Sequence, residues 1–267
     1  MNPTVKKGYV IIAGAGPGDE ELITLKLQKA LQRADVIIAD RLVNPAIINA
    51  HAQPGALHIL AGKQGFNKAS ISQDEINQML ITYAQQGNLV LRLKGGDVAF
   101  YSNVYDELQV LKAAHIPYEI IPGITAASGA SACAGIPLTA RGISQGVQLL
   151  SLHPNSRISP EKWKRLAASG DTLVFYMSAS NLAELAEMLL RYSRRPQTPL
   201  AVVEQASTLH QRVHLSTLQD CTEDFAGISF SSPSLVIIGE VARLHNEFKW
   251  LPEIAGIGSP FKELIHQ

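Results

Sequence analysis

The sequence predicts an α/β protein of two domains, an N-terminal one on a mainly parallel sheet and a C-terminal one on a mixed sheet. Three observations predict this. Apolar strand-like runs alternate with amphipathic stretches through the first half, the pattern of successive βαβ units. A connector with two glycines and no periodicity, Pro137 to Gly146, separates that half from a second series of runs. In the second series, Leu200–Glu204 and Gln211–Thr217 are joined by a short link, which suits an antiparallel pair. The expected domains are 1–141 and 142–246, followed by a polar tail over 247–267.

In the first half the strand-like runs are Gly8–Ala13, Val36–Ala39, Leu57–Ala61, Leu89–Lys94 and Tyr118–Ile121. Helix-like stretches fall between them at Glu20–Arg33, Pro45–His51, Gln73–Gln86 and Val104–Ala114. The third is the most explicit: Ile76, Met79, Leu80 and Tyr83 recur at helical spacing. Ser72 with Glu75 makes a capping box at its start, and Gly87 stops it. Thr125–Gly135 is rich in Ala, Ser and Gly, which lets a helix pack close to a sheet or a ligand. The second half reads Val147–Leu152, Glu161–Ala168, Thr172–Met177, Asn181–Tyr192, the antiparallel pair and Ser234–Gly239.

Composition narrows the function. A chain of 267 residues, 46% hydrophobic, has ample material for a core. Its net charge of zero leaves no electrostatic footprint for nucleic acid or an anionic membrane. An anionic ligand must therefore be held by a local cluster. Cys133 and Cys221 stand alone without metal-ligand spacing, so no metal is expected, and their sparseness fits a reducing compartment. Met1 to Lys7 is short and polar, and the apolar run after it ends at Gly16-Pro17-Gly18, too short for a signal peptide or membrane span. The expectation is a soluble cytoplasmic protein.

Five glycine-anchored loops carry the functional signal: Gly14-Ala15-Gly16-Pro17-Gly18-Asp19, Ala61-Gly62-Lys63, Lys94-Gly95-Gly96-Asp97, Ile121-Pro122-Gly123-Ile124-Thr125 and Ile238-Gly239-Glu240. Glycine at a strand end lets a ligand touch main chain, and open α/β sheets bind ligands at those ends. The first loop invites comparison with the dinucleotide fingerprint Gly-x-Gly-x-x-Gly, and Asp40 stands at the distance of a ribose-binding acid. The fingerprint's third glycine is Asp19 here, and Pro17 removes an N–H from the turn that should hold pyrophosphate. A ligand without phosphates, with an adenosine and a short charged chain, suits the loop better. A tight turn that binds nothing stays open.

The segment Gly14 to Thr24, GAGPGDEELIT, resembles the opening motif of the tetrapyrrole (class III) methyltransferases. Asp40-Arg41-Leu42-Val43, Gly62-Lys63, Gln73-Asp74-Glu75-Ile76-Asn77, Arg92-Leu93-Lys94-Gly95-Gly96-Asp97, Pro122 to Gly129 and Gly135 to Thr139 follow in the order used by one branch, the uroporphyrinogen-III C-methyltransferases. Leu173 to Met177, Val202-Val203-Glu204, Gln211-Arg212-Val213 and Ser232 to Leu235 continue it, so the resemblance runs from Gly8 to about Leu244. It implies two α/β domains that clamp S-adenosylmethionine, a homodimer and a tetrapyrrole substrate. Carried over by motif, the cofactor residues are Pro17, Gly95, Gly96, Asp97, Phe100, Thr125, Ala126, Met177 and the backbone near Ala206 and Gly239.

The resemblance also implies the chemistry: C-methylation of uroporphyrinogen III at C2 and C7 to give precorrin-2, which feeds siroheme and cobalamin synthesis. Asp40 is the implied proton acceptor and Lys63 the implied donor. Arg41 and Arg141 are implied partners for substrate carboxylates, which guanidinium binds bidentately. The residue types alone leave open a loop-capping Asp40, a solvated Lys63 and surface ion pairs for both arginines.

The family pattern breaks at three places. After Asp97 it continues with proline, two apolar residues and a Gly-Arg-Gly segment, where this chain has Val98-Ala99-Phe100-Tyr101-Ser102-Asn103. After Thr139 a common His-Arg-Asp is Ala140-Arg141-Gly142, and an expected Thr-Gly-His is Ser151-Leu152-His153. These changes keep two alternatives in play: methylation of another precorrin-type tetrapyrrole, and a catalytically silent cofactor-binding homologue. No dehydrogenase–chelatase module accompanies the motifs, so a stand-alone methyltransferase is expected.

Overall fold

The structure is a computed structural model that describes residues 8–61, 71–153, 158–252 and 259–261. Contacts divide the chain into two compact units, Met1–Thr125 with Pro260–Gln267, and Ala126–Ser259. The division falls ahead of the 137–146 connector that the sequence suggests. Helix α5 (Ala126–Ala134) explains the difference: its Ala127, Ala130 and Ala134 pack with Val174, Ala201, Val203 and Ile237 of the second sheet. Its small side chains serve the second unit.

Unit 1 contains β1 (Tyr9–Gly14), α1 (Leu25–Leu31), β2 (Val36–Ala39), α2 (Pro45–His51), β3 (Leu57–Leu60), α3 (Gln73–Gln85), β4 (Leu89–Lys94), α4 (Val104–Ala113) and β5 (Tyr118–Ile121). All five strands are parallel, in the order β3-β2-β4-β1-β5. Helices α1 and α2 cover one face through Leu27, Leu31, Ile47 and Ile48 against Ile11, Ile37, Leu91 and Leu93. Helices α3 and α4 cover the other through Ile76, Leu80 and Leu111 against Val10, Ile12, Ile38 and Val90. Right-handed crossovers enforce this split, because the chain moves along the sheet one way from β1 to β3 and returns through β4 to β5. The connections after β1 and β4 therefore leave toward opposite faces. Neighbouring strands with that property form a topological switch point, the crevice where open α/β sheets bind ligands.

Local chemistry explains the element ends. The Ser72–Glu75 capping box is present: Ser72 Oγ accepts the Glu75 N–H at 3.2 Å and Glu75 Oε2 accepts the Ser72 N–H at 2.6 Å. Asn44 caps α2, with Pro45 at the first helical position. The expected helix over Glu20–Arg33 is instead a 3-10 turn at Glu20–Leu22 followed by α1. Thr24 interrupts it: its backbone is extended and its hydroxyl accepts the Leu27 N–H at 3.1 Å, restarting the helix. Asp19, which stands where a dinucleotide site needs glycine, caps that turn through the Glu21 N–H.

Unit 2 contains α5, β6 (Val147–Ser151), α6 (Pro160–Ala168), β7 (Thr172–Tyr176), α7 (Leu182–Arg191), β8 (Pro199–Glu204), β9 (Arg212–Thr217), α8 (Cys221–Asp224), β10 (Ser234–Ile238) and α9 (His245–Phe248). Its sheet runs β6-β7-β10-β8-β9, with β6 and β7 parallel and the other pairs antiparallel. The sheet is mixed, and β8 with β9 is the antiparallel pair that the short link predicts. Helices α6 and α7 cover one face through Trp163, Leu166, Leu185 and Leu189. No described helix is long and apolar enough to cross a membrane.

Candidate active site

Three of the five glycine loops meet at the switch point of unit 1. The Ala15 N–H donates to Lys94 O at 2.7 Å, and Gly16 and Gly96 exchange hydrogen bonds of 3.0 and 2.8 Å. Asp97 ties in the third loop: Oδ2 accepts the Gly123 N–H at 2.7 Å, while Oδ1 accepts the Ala99 N–H at 2.7 Å. The glycines are needed for this closeness. A Cβ on Gly123 would sit 2.3 Å from Gly96 O, and one on Gly14 would sit 2.5 Å from the same oxygen. Their missing side chains first serve the packing of loop on loop.

Beside these loops lies a cavity of about 270 Å³, lined by Asp40, Arg41 and Leu42 after β2, by Arg92 and Lys94 of β4 with Gly95 after it, by Gln73 and Ile76 of α3, and by Phe100 to Asn103. Its floor holds a buried ionic network. Strand β4 alternates Leu91 and Leu93 toward α1 and α2 with Arg92 and Lys94 toward α3 and α4. Arg92 Nη2 pairs with Asp40 Oδ1, and Arg92 Nε donates to Glu107 Oε1 of α4 at 2.9 Å. Lys94 Nζ donates to the same Glu107 oxygen at 2.8 Å. The Arg92, Lys94 and Glu107 side chains are at most 2% exposed, while that of Asp40 is 30% exposed.

Two cations facing two anions make this burial tolerable. Burial opposes the charge on Arg92, but the carboxylates of Asp40 and Glu107 outweigh it and hold the guanidinium more firmly protonated than usual. Burial lowers the Lys94 pKa, and the neighbouring Arg92 charge adds to the effect.

The cavity rim is aromatic. Phe100 and Tyr101 are more than 40% exposed. Tyr101 (φ 55°) and Asn103 (φ 54°) are both left-handed, a conformation costing of order 1–3 kcal/mol for a non-glycine residue and typical of functional loops. This is the segment that departs from the family pattern.

The structure thus brings Pro17, Gly95, Gly96, Asp97, Phe100 and Thr125 onto loops at the carboxyl ends of β1, β4 and β5, and Asp40 and Arg41 into the adjoining cavity. Lys63 lies outside the described residues. In unit 2, Met177 follows β7 and Ala206 follows β8 at the same end of the sheet, since β10 pairs antiparallel with both. Ala126 joins them there, where the next amide, Ala127 N–H, donates to the Tyr176 hydroxyl at 3.1 Å. Met177 is 47% exposed and left-handed at φ 57°. Gly239 stands apart from this group: it follows β10 at the opposite end, beside Thr172, about 17 Å away for a five-residue strand. Arg141 is exposed in a turn closed by Ala140 and Ser144 and does not line the cavity.

Sequence reasoning missed Arg92, Lys94 and Glu107 as a functional group. A signal existed. Two cations on one parity of a buried parallel strand must have buried partners, and Glu107 interrupts the apolar face Val104, Leu108 and Leu111 of α4.

A parallel sheet with glycine loops gathered at its switch point, beside a cavity holding a carboxylate against a buried guanidinium, defines an open-sheet α/β protein with a candidate small-molecule site. Its family follows from comparison with known proteins. The chain belongs to the tetrapyrrole (corrin/porphyrin) methylases, whose family model matches residues 9–222. It is 43% identical over 249 residues to a siroheme synthase of Ectopseudomonas mendocina, covering 93% of this chain and 54% of that protein. A siroheme synthase of Pseudomonas fluorescens (strain SBW25) is 42% identical over 248 residues, covering 93% and 53%. The chain spans about half the length of the curated relatives it matches. Among solved structures, a uroporphyrin-III C-methyltransferase of Thermus thermophilus complexed with S-adenosylhomocysteine has a TM-score of 0.75 at 34% identity, over 89% of this chain and 100% of that one. A cobalt precorrin-4 methyltransferase has a TM-score of 0.79 at 26% identity, over 91% and 99%.

Proposed function

We propose that this chain transfers methyl groups from S-adenosylmethionine to C2 and C7 of uroporphyrinogen III, giving precorrin-2. The observation that carries the reading is the Asp40 carboxylate, held by Arg92 in the lining of a cavity beside the switch-point loops. Similarity to the Thermus uroporphyrin-III C-methyltransferase supports it. A homodimer and a cytoplasmic location belong to the same reading.

The residues present suit the donor. Part-exposed main chain at Gly95 and Gly96 and the exposed, polarizable Met177 suit adenosine and an amino-acid end, and no phosphate clamp is needed beside Pro17. Pro17, Gly95, Gly96, Phe100 and Thr125 of unit 1 are proposed donor-binding residues, as are Ala126, Met177 and Ala206 of unit 2. Asp97 contributes by fixing its loop, because both carboxylate oxygens are committed to amides. Gly239, at the far end of its sheet, enters only through its own strand end.

S-adenosylmethionine, when bound, supplies a methyl group already activated on a sulfonium. The chain's residues must hold an electron-rich pyrrole carbon in line with it, exclude water and move protons so that the macrocycle loses one net proton for each methyl gained. Bound there, the donor would supply the methyl for the new C–C bond, its C–S electron pair staying with sulfur. Asp40 then accepts the proton that the macrocycle releases. Arg41, on the cavity wall, holds a substrate carboxylate, with Arg141 a second proposed partner, and Lys63 is the proposed proton donor.

The test is direct. The protein is incubated with S-adenosylmethionine and enzymatically made uroporphyrinogen III, and mass and absorption are followed. Two added methyl groups are expected. The aromatic Phe100–Asn103 rim favours one second reading, methylation of a related precorrin, for which transfer to another precorrin but none to uroporphyrinogen III is the outcome. Donor binding with no transfer to any tetrapyrrole leaves a silent homologue.

A further inference from the structure

Glu107 is fully buried, yet it touches no ligand-facing surface and does not line the cavity. Its Oε1 receives three donors: Arg92 Nε at 2.9 Å, Lys94 Nζ at 2.8 Å and Gln73 Nε2 at 3.5 Å. Its Oε2 is buried with no hydrogen-bond partner among the described residues. Stability alone does not account for such a group, since apolar side chains of similar volume usually serve a core as well or better. Geometry does account for it. Arg92 spends Nη1 on Ile38 O at 3.2 Å and Leu93 O at 3.3 Å, Nε on Glu107 and Nη2 on Asp40. The planar guanidinium is thereby fixed on every side, and the edge it presents to Asp40 is set by where α4 places Glu107.

We propose that Glu107 is a positioning residue for proton transfer: through Arg92 it orients the Asp40 carboxylate at the cavity, and with Lys94 it sets the electrostatic field that Asp40 feels. The inference rests on the reading of Asp40 as proton acceptor. Among the described residues, the groups facing the network are Asp40 from the loop after β2, Arg92 and Lys94 from β4, Glu107 from α4, the uncharged Gln73 and Asn77 from α3, and Arg41 on the cavity wall. Deleting the anion leaves Asp40 facing excess positive charge, which favours its ionised form and makes it a weaker base. Deleting the Lys94 cation does the reverse.

The experiment measures the pH dependence of kcat/KM for methyl transfer in the wild type, Glu107→Gln, Lys94→Met and Asp40→Asn. Glu107→Gln should lower kcat at least tenfold with both KM values within about twofold, and move the acid limb to lower pH. Lys94→Met should move that limb to higher pH, each displacement being of order one pH unit. Opposite displacements are the signature of a field acting on one titrating group, and loss of packing does not produce them. Acid limbs that coincide with the wild type, in variants that still bind S-adenosylhomocysteine, overturn the proposal. If Glu107→Gln does not fold, Lys94→Met alone decides, by the presence or absence of its shift. If Asp40→Asn keeps wild-type kcat and acid limb, the proton-acceptor reading itself has failed, which is distinct from an active, Asp40-dependent enzyme indifferent to Glu107.

Discussion

The Asp97 carboxylate, just after β4, holds the amide of Gly123 in the loop after β5 at 2.7 Å, and its other oxygen holds its own loop through Ala99 N–H. One side chain thus joins two of the three loops at the switch point. Asp97 is 7% exposed, so these hydrogen bonds are shielded from water. Asp97→Ala should destabilise unit 1 by about 2–4 kcal/mol, because two charge-assisted bonds vanish and two amides lose their acceptor. Asp97→Asn should lose about half as much, since its NH2 group meets an N–H donor. Urea unfolding checks both; a loss below 1 kcal/mol in Asp97→Ala contradicts the clamp.

The glycines at this junction are a second test. Gly123→Ala should cost several kcal/mol, in the range of about 1–3 kcal/mol or above for overpacking, because the new Cβ meets main chain that has no room to yield. Gly170→Ala is the control: nothing lies within 4 Å of its added Cβ, and stability should change by less than about 0.5 kcal/mol. Equal unfolding midpoints for the two variants contradict the packing argument.

In unit 2, Glu204 predicts an acid sensitivity. Burial raises its pKa, but hydrogen bonds from His214 Nε2 at 2.7 Å and from the Ser231 N–H prevail and leave it below the ordinary value. A carboxylate depressed in the folded state stabilises that state above its unfolded pKa, about 4.3 for Glu. That contribution fades as pH falls below this value and through the folded pKa. Stability of the wild type should therefore drop more steeply than that of Glu204→Gln below about pH 4.3. Parallel unfolding curves in that range contradict the assignment.

Met177 separates stability from binding. Its left-handed backbone favours glycine, so Met177→Gly relieves strain worth about 1 kcal/mol that the flexibility of glycine largely offsets. Thermal stability should stay within about 1 kcal/mol of the wild type. If Met177 packs on the donor, affinity for S-adenosylhomocysteine should fall by roughly tenfold, the loss expected for about 1.4 kcal/mol of apolar contact. Calorimetric titration showing unchanged affinity removes Met177 from the donor site.

Much of this protein was legible before its structure. Apolar runs such as Tyr9–Ala13 and Leu89–Lys94, and helical spacing such as Ile76-Met79-Leu80-Tyr83, are local patterns, and they place elements to within a few residues. The exception, Glu20–Arg33, failed where Thr24 could serve either as helix interior or as cap, and a neighbouring backbone N–H decided it. Ordered motifs carried the family and named Asp40 and Arg41, which do line one cavity.

Sequence by itself determined the kinds of element, their order and the residues at strand ends, because side-chain periodicity and turn chemistry act over a few residues. Tertiary structure decided what those ends face. Strand pairing is long-range: the placement of β4 beside β1 creates the switch point, and with β5 on the other side of β1 it brings Gly16, Gly96 and Gly123 together. The antiparallel course of β10 likewise sends Gly239 away from Met177 and Ala206. Glu107 reaches Arg92 and Lys94 only once α4 packs over the sheet, since a buried charge finds its counterions across space and not along the chain.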